Sequence, residues 1–154
     1  MPRIAQRLAE RYHAGQTDQR GVAYNEHLAA VAALLRQRWP DATPEEIAAA
    51  WLHDVLEDAT GATAEALLGE GVTPRTIEII RALTRPEGKP YDAYIREIAA
   101  AGDVSVLRVK ISDNAHNSDP ARSIPGSDLV ARRYAPARAV LEAGLDRATA
   151  GRGG

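Results

Sequence analysis

The chain has 154 residues, 45% of them hydrophobic and 26% charged, a formal net charge of −2 and no cysteine. That length suits one domain with one buried core, and the missing cysteine excludes both a disulfide framework and thiolate-ligated zinc or iron–sulfur sites. The mildly acidic balance, the lack of a membrane-length apolar run and the lack of a signal-peptide h-region lead to three expectations: no nucleic-acid partner, no membrane partner, and a reducing, cytoplasmic location.

The periodicity is helical nearly throughout. Pro2 to His13 places Ile4, Leu8 and Tyr12 on one face and is closed by Gly15. His13, at the end of that helix, is expected to be solvated and favoured by the helix dipole. Residues 16–23 are polar and read as a loop. A second helix runs from Tyr24 to Trp39, with Leu28, Val31 and Leu35 inward, and Pro40 stops it. Thr43-Pro44-Glu45-Glu46 is a start signal: Thr43 caps, Pro44 suits the first turn and Glu46 completes a capping box. The helix it opens carries Ile47, Trp51 and Val55 and fades near Gly61. Thr63 to Leu68 is a short helix ended by Gly69 and Gly71, and Thr73-Pro74 starts another with Ile77, Ile80 and Leu83 inward.

Residues 85–90 form a loop with two basic side chains. Tyr91 to Ala101 is helical and closed by Gly102. Asp103 caps a helix with Val106, Val109 and Ile111 that ends around Asn117. The β-branched run from Val104 to Ile111 also admits a strand, but it would have no partner strand, so helix is preferred. After a loop at 123–127, a last helix extends from about Asp128 to Ala148. The expected architecture is an all-α, compact single-domain helical bundle over residues 1–150, with a frayed, disordered tail at 151–154.

Chemistry concentrates in the run His53-Asp54-Val55-Leu56-Glu57-Asp58, which follows the apolar stretch Ile47 to Leu52. On a continuous helix His53 lies under Glu57, and Asp54 under Asp58 on the next stripe. Three carboxylates so close repel unless a cation neutralises them, so a divalent metal is the economical explanation. His27 and Asp113, each among apolar neighbours on other helices, are candidates for the remaining ligands. Two imidazoles and two carboxylates suit Mn²⁺, Fe²⁺, Co²⁺ or Zn²⁺ better than Ca²⁺. Four protein ligands on an octahedral ion leave room for water and a phosphoryl oxygen. Glu57 and Asp58 are then candidate catalytic groups that take a proton from the water or orient it. His116 is expected to stand outside the ligand set.

Candidate donors for substrate phosphates are Arg20, Arg85, Lys89, Lys110, Arg122, Arg132 and Arg133. Lys110 leads them because it shares a helical face with Asp113, although an ion pair with a nearby carboxylate fits equally well. Tyr134 suits either stacking on a base or core packing.

The order His27, His53-Asp54, Asp113 resembles the H…HD…D signature of the HD-domain metal-dependent phosphohydrolase superfamily. Tyr24-Asn25-Glu26-His27, the His53–Asp58 run and Val109-Lys110-Ile111-Ser112-Asp113-Asn114-Ala115-His116-Asn117 resemble the YxxH, HDxxED and VKLADxxHN motifs of the hydrolase domain of RelA/SpoT homologues. The likeness covers about residues 18–145. It implies an all-α bundle in which His27, His53, Asp54 and Asp113 hold one Mn²⁺, Glu57 and Asp58 serve the attacking water, Asn117 shapes the nucleotide site and Tyr24 lies near base or ribose. It further implies a small phosphorylated nucleotide as substrate, with removal of the 3′-pyrophosphate from guanosine tetra- or pentaphosphate. Single-domain relatives of this kind also act on other phosphorylated nucleotides, NADPH included. The alternatives are therefore a phosphatase on NADPH or nucleoside monophosphates, or a nucleotide-sensing module that does not cleave. Leu28, Ser112 and Asp119 depart from the motifs, and only Gln19-Arg20-Gly21 remains of the usual Arg-Lys-Ser-Gly run before the tyrosine.

Overall fold

Eight α-helices build the described chain, residues 1–57 and 61–151 of a computed structural model, and no strand forms among these residues. They are α1 (Pro2–Tyr12), α2 (Tyr24–Arg38), α3 (Pro44–Leu52), α4 (Ala64–Gly69), α5 (Pro74–Leu83), α6 (Tyr91–Ala101), α7 (Val104–Asn117) and α8 (Ala135–Ala150). Residues 152–154 of the expected tail lie outside the described residues. No helix among the described residues is long and apolar enough to cross a membrane.

Side-chain caps explain four of the eight starts. The hydroxyls of Thr43, Thr63 and Thr73 accept the backbone N–H groups of Glu46, Ala66 and Thr76, and Asp103 accepts those of Ser105 and Val106. Gly102 closes α6 in the left-handed conformation at φ 68°. The segment Val104–Ile111 is helical, as preferred. Glu46 differs from its expected capping-box role. Its carboxylate is turned to Arg108 Nη1 at 3.1 Å and Ser105 Oγ at 3.2 Å, so it ties α3 to α7.

Helix α3 sits at the centre, packed by α1, α2, α5 and α7. Being covered on several sides, it buries Ala48, Ala49, Ala50 and Leu52 completely, whereas Ile47 and Trp51 are only partly covered. Small side chains let the neighbouring backbones approach. Leu28, Leu35, Ile79, Ile80 and Leu107 complete the interior around it.

Two expectations are corrected and a third is refined. Helix α3 ends at Leu52 and does not continue towards Gly61. His53 Nδ1 donates to the Ala50 carbonyl at 2.8 Å, and Val55 N–H and Glu57 N–H bond back to the Leu52 and Asp54 carbonyls, so tight turns replace the helical ladder. His13 is 2% exposed: Thr17 and Ala23 pair across the loop and Tyr24 N–H bonds the Gln16 carbonyl, folding α2 back so that the Tyr24 ring lies 5.0 Å from the His13 ring. The last helical segment begins with a wide π-turn, Val130–Tyr134, before α8.

Helices α6 and α8 meet at Gly144. A Cβ there would stand 2.9 Å from Ala99 Cβ and 3.0 Å from Ala99 Cα. Glycine to alanine inside a helix ordinarily stabilises by up to about 1 kcal/mol, but backbone contact reverses the sign here. Gly144→Ala is expected to destabilise by roughly 1–3 kcal/mol, read as a lower melting temperature with unchanged helical circular dichroism.

Candidate metal centre

His27 from α2, His53 from the turn after α3 and Asp113 from α7 converge, each contributing a ligand atom within 4.8 Å of the others. All three are at least 95% buried. His27 Nε2 stands 3.0 Å from Asp113 Oδ1, and His53 Nε2 stands 3.3 Å from the same oxygen. Asp54 lies alongside, its Oδ2 3.2 Å from His53 Nε2, and the Tyr24 hydroxyl donates to that oxygen. Asp58 lies outside the described residues.

The proton inventory of His53 shows what this cluster can hold. Nδ1 donates to a carbonyl, which can only accept, so Nδ1 carries its hydrogen. Nε2 is buried, faces two carboxylate oxygens and makes no hydrogen bond among the described residues. A lone pair pointed at two anions needs a cation between them, either a proton or a metal. Burial alone would lower the His53 pKa, but the charges of Asp54 and Asp113 hold it well above the usual imidazole range. The same three side chains could hold a divalent ion in place of that proton, and a nitrogen–oxygen donor set suits a transition metal.

The carboxylates are braced. Burial would raise Asp113, yet the Lys110 ammonium at 2.9 Å and the His53 charge hold it well below the carboxylate range. Asn117 Nδ2 donates to Asp113 Oδ1 at 3.2 Å. Burial likewise opposes Asp54, but the His53 charge lowers it, helped by the Tyr24 hydroxyl. Glu57 stands exposed at the edge of the pocket. Partial loss of water, then the Asp54 charge, pushes its carboxyl up to about 7.

His27 Nδ1 faces His116 Nδ1 at 2.7 Å, and the two rings stack with centroids 5.0 Å apart. His116 thus supports His27 from behind. Burial, then the neighbouring His27 and Arg122, push it down to about 4.

A pocket of about 190 Å³ opens over the cluster, bounded by Tyr24, Glu57, Tyr91, Asn117 and Tyr134. Of the expected substrate contacts, Tyr24, Asn117 and Tyr134 reach it. Lys110 also lines it, but its ammonium is committed to Asp113, the second of the two roles the sequence left open. Arg20 does not line it. Arg20 faces an adjoining cleft with Asp18, to which it is paired at 3.1 Å, and donates to the Ala121 carbonyl. Of the other candidate phosphate donors, Arg85, Arg122 and Arg133 line the pocket, and Arg122 places Nη1 2.6 Å from Asn117 Oδ1 and 2.9 Å from His27 Nδ1. Tyr91, which opens α6, also lines it and belongs to no motif; Pro90 before it marks a helix start but not the side chains it meets.

Residues 5–137 match the model of the HD domain family. A protein of Mycobacterium leprae (strain TN) named Probable GTP pyrophosphokinase is 34% identical over 128 residues, which is 77% of this chain and 15% of the relative. The chain thus spans a small part of that relative's length. The structure of a metazoan orthologue of SpoT that hydrolyses ppGpp superposes with a TM-score of 0.69 at 21% identity, covering 99% of this chain and 95% of the other. That likeness shows the same all-α fold.

Proposed function

The chain belongs to the HD domain family, and we propose that it is a metal-dependent phosphohydrolase of small phosphorylated nucleotides, first of all a 3′-pyrophosphohydrolase of guanosine tetraphosphate. The observation that carries this reading is His53 Nε2, buried without a hydrogen bond against the oxygens of Asp54 and Asp113 and beside His27. His27, His53, Asp54 and Asp113 would hold the cation, with Mn²⁺ as the ion expected from the motif resemblance. A divalent ion there would acidify a water and neutralise phosphoryl oxygens. The similarity to a metazoan ppGpp hydrolase and to a bacterial GTP pyrophosphokinase supports the nucleotide class.

The protein groups divide the remaining work. Ligation through His27 Nε2 would require the ring proton on Nδ1; it would then point to His116 Nδ1, 2.7 Å away, with Arg122 Nη1 donating to Asn117 Oδ1. Lys110 and Asn117 hold the Asp113 carboxylate in one orientation. Glu57, at the pocket's edge, would take a proton from the attacking water. Asp58 is proposed for the same task on the motif resemblance alone.

The test is a hydrolysis screen with Mn²⁺ over guanosine tetraphosphate, NADPH and nucleoside monophosphates, with products identified by mass. Pyrophosphate release from guanosine tetraphosphate is expected. Phosphate release from NADPH or monophosphates alone would move the assignment to a phosphomonoesterase. Binding without cleavage at saturating Mn²⁺ would make the chain a nucleotide sensor.

A further inference from the structure

The cations around the metal cluster sort by what they already hold. Arg20 is paired with Asp18, Lys89 with Glu97, Lys110 with Asp113 and Arg132 with Asp128. Arg122 is bonded to Asn117 and has Asp18 at 3.8 Å. Arg85 and Arg133 differ: both line the pocket over His27, Asp54 and Asp113, and neither has an ion-pair partner among the described residues. They come from separate segments, the loop after α5 and the π-turn before α8, yet both reach one ring. The Arg133 guanidinium lies 4.6 Å and the Arg85 guanidinium 5.6 Å from the centroid of Tyr91. A guanidinium carried on an aromatic ring is held in place by that contact and keeps N–H donors for a planar or tetrahedral anion.

We propose that Arg85 and Arg133, seated on Tyr91, bind a second phosphate group of the substrate, one that is not cleaved, so that the chain selects nucleotides phosphorylated at two positions. This rests on the phosphohydrolase reading for the position of the cleaved group and goes beyond it in assigning the other. Of the basic run that the motif resemblance expects before Tyr24, only Arg20 is present. Asp18 already occupies that guanidinium, whereas Arg85 and Arg133 face the pocket with charge to spare. Charge-assisted bonds from arginine to phosphate are the strong, two-pronged kind that this recognition needs.

The experiment measures guanosine 5′-diphosphate binding to the full, Mn²⁺-loaded chain by calorimetry, and KM for guanosine tetraphosphate and guanosine 3′-monophosphate. Guanosine 5′-diphosphate carries only the group assigned to the arginines. Arg85→Ala and Arg133→Ala are each expected to weaken its binding roughly ten-fold, the loss expected for one charge-assisted hydrogen bond, and to raise KM for the tetraphosphate similarly. KM for the 3′-monophosphate and the melting temperature should stay constant. Arg132→Ala, whose guanidinium is engaged by Asp128, should match wild type. Equal binding in all three variants, no binding of guanosine 5′-diphosphate by wild type, or a loss confined to Arg20→Ala would overturn the assignment. Absence of any turnover, with binding still lost in the two variants, would remove the catalytic reading and leave this one standing.

Discussion

Asp113→Ala is expected to lose metal retention and to lower turnover by roughly a thousand-fold or more. The metal contribution to charge stabilisation is several kcal/mol, and each ~1.4 kcal/mol is a factor of ten in rate. Asp113 is where the cluster is joined. Its Oδ1 lies 3.0 Å from His27 Nε2, 3.3 Å from His53 Nε2 and 3.2 Å from Asn117 Nδ2, while Oδ2 accepts from Lys110. Removing it also leaves the Lys110 ammonium buried without its acid, which costs about 3–5 kcal/mol when one partner of a buried pair is deleted. Fold loss and metal loss are therefore separated with a second variant. Asp113→Asn keeps the shape, and in Asp113→Asn with Lys110→Met the stranded ammonium is gone. Metal content by elemental analysis and the melting temperature with and without Mn²⁺ provide the readout. Wild type should melt higher with the ion, because binding to the folded state alone stabilises it. A double variant that folds, keeps stoichiometric metal and turns over at the wild-type rate would remove Asp113 from the ligand set.

Glu57→Gln is expected to keep the metal and lose turnover by roughly 10²–10⁴-fold, the usual contribution of a positioned proton acceptor. Glutamine preserves the size of the side chain and its place at the pocket edge but cannot take a proton. Glu57 is adjacent to the cluster without belonging to the three side chains that converge there, so metal content should match wild type. Loss of metal in this variant would make Glu57 a ligand, and unchanged turnover would leave the proton-accepting task to another residue. KM should move little, since the group is asked to act in the transition state more than in binding.

Much of the scaffold was readable before any coordinates. Thr43, Thr63, Thr73 and Asp103 announce helix starts because their side chains can satisfy N–H groups that a helix leaves without partners, and each does so. The inward positions on α2, α5 and α7 follow from the 3.6-residue period, and Leu28, Val31, Leu35, Ile77, Ile80, Leu83, Val106, Val109 and Ile111 are all buried. Helix α3 has no single covered face for the period to mark. With four helices around it, α3 buries its alanines more fully than Ile47 and Trp51. The helix expected to carry His53 over Glu57 is broken for a different reason: His53 spends Nδ1 on the Ala50 carbonyl, a competition that spacing alone does not reveal.

What the chain by itself determined is the identity of the helices and the chemical character of the cluster: two imidazoles and several acids in apolar surroundings, whose like charges need a cation. Those features are local, set by backbone hydrogen bonding, side-chain period and residue type, so they survive without knowledge of contacts. Tertiary structure decided which charges are already neutralised. Lys110 is held by Asp113 and Arg20 by Asp18, while Arg85 and Arg133 meet on Tyr91 from segments some fifty residues apart. Electrostatic pairing depends on distance through space, and only the packed helices set that distance.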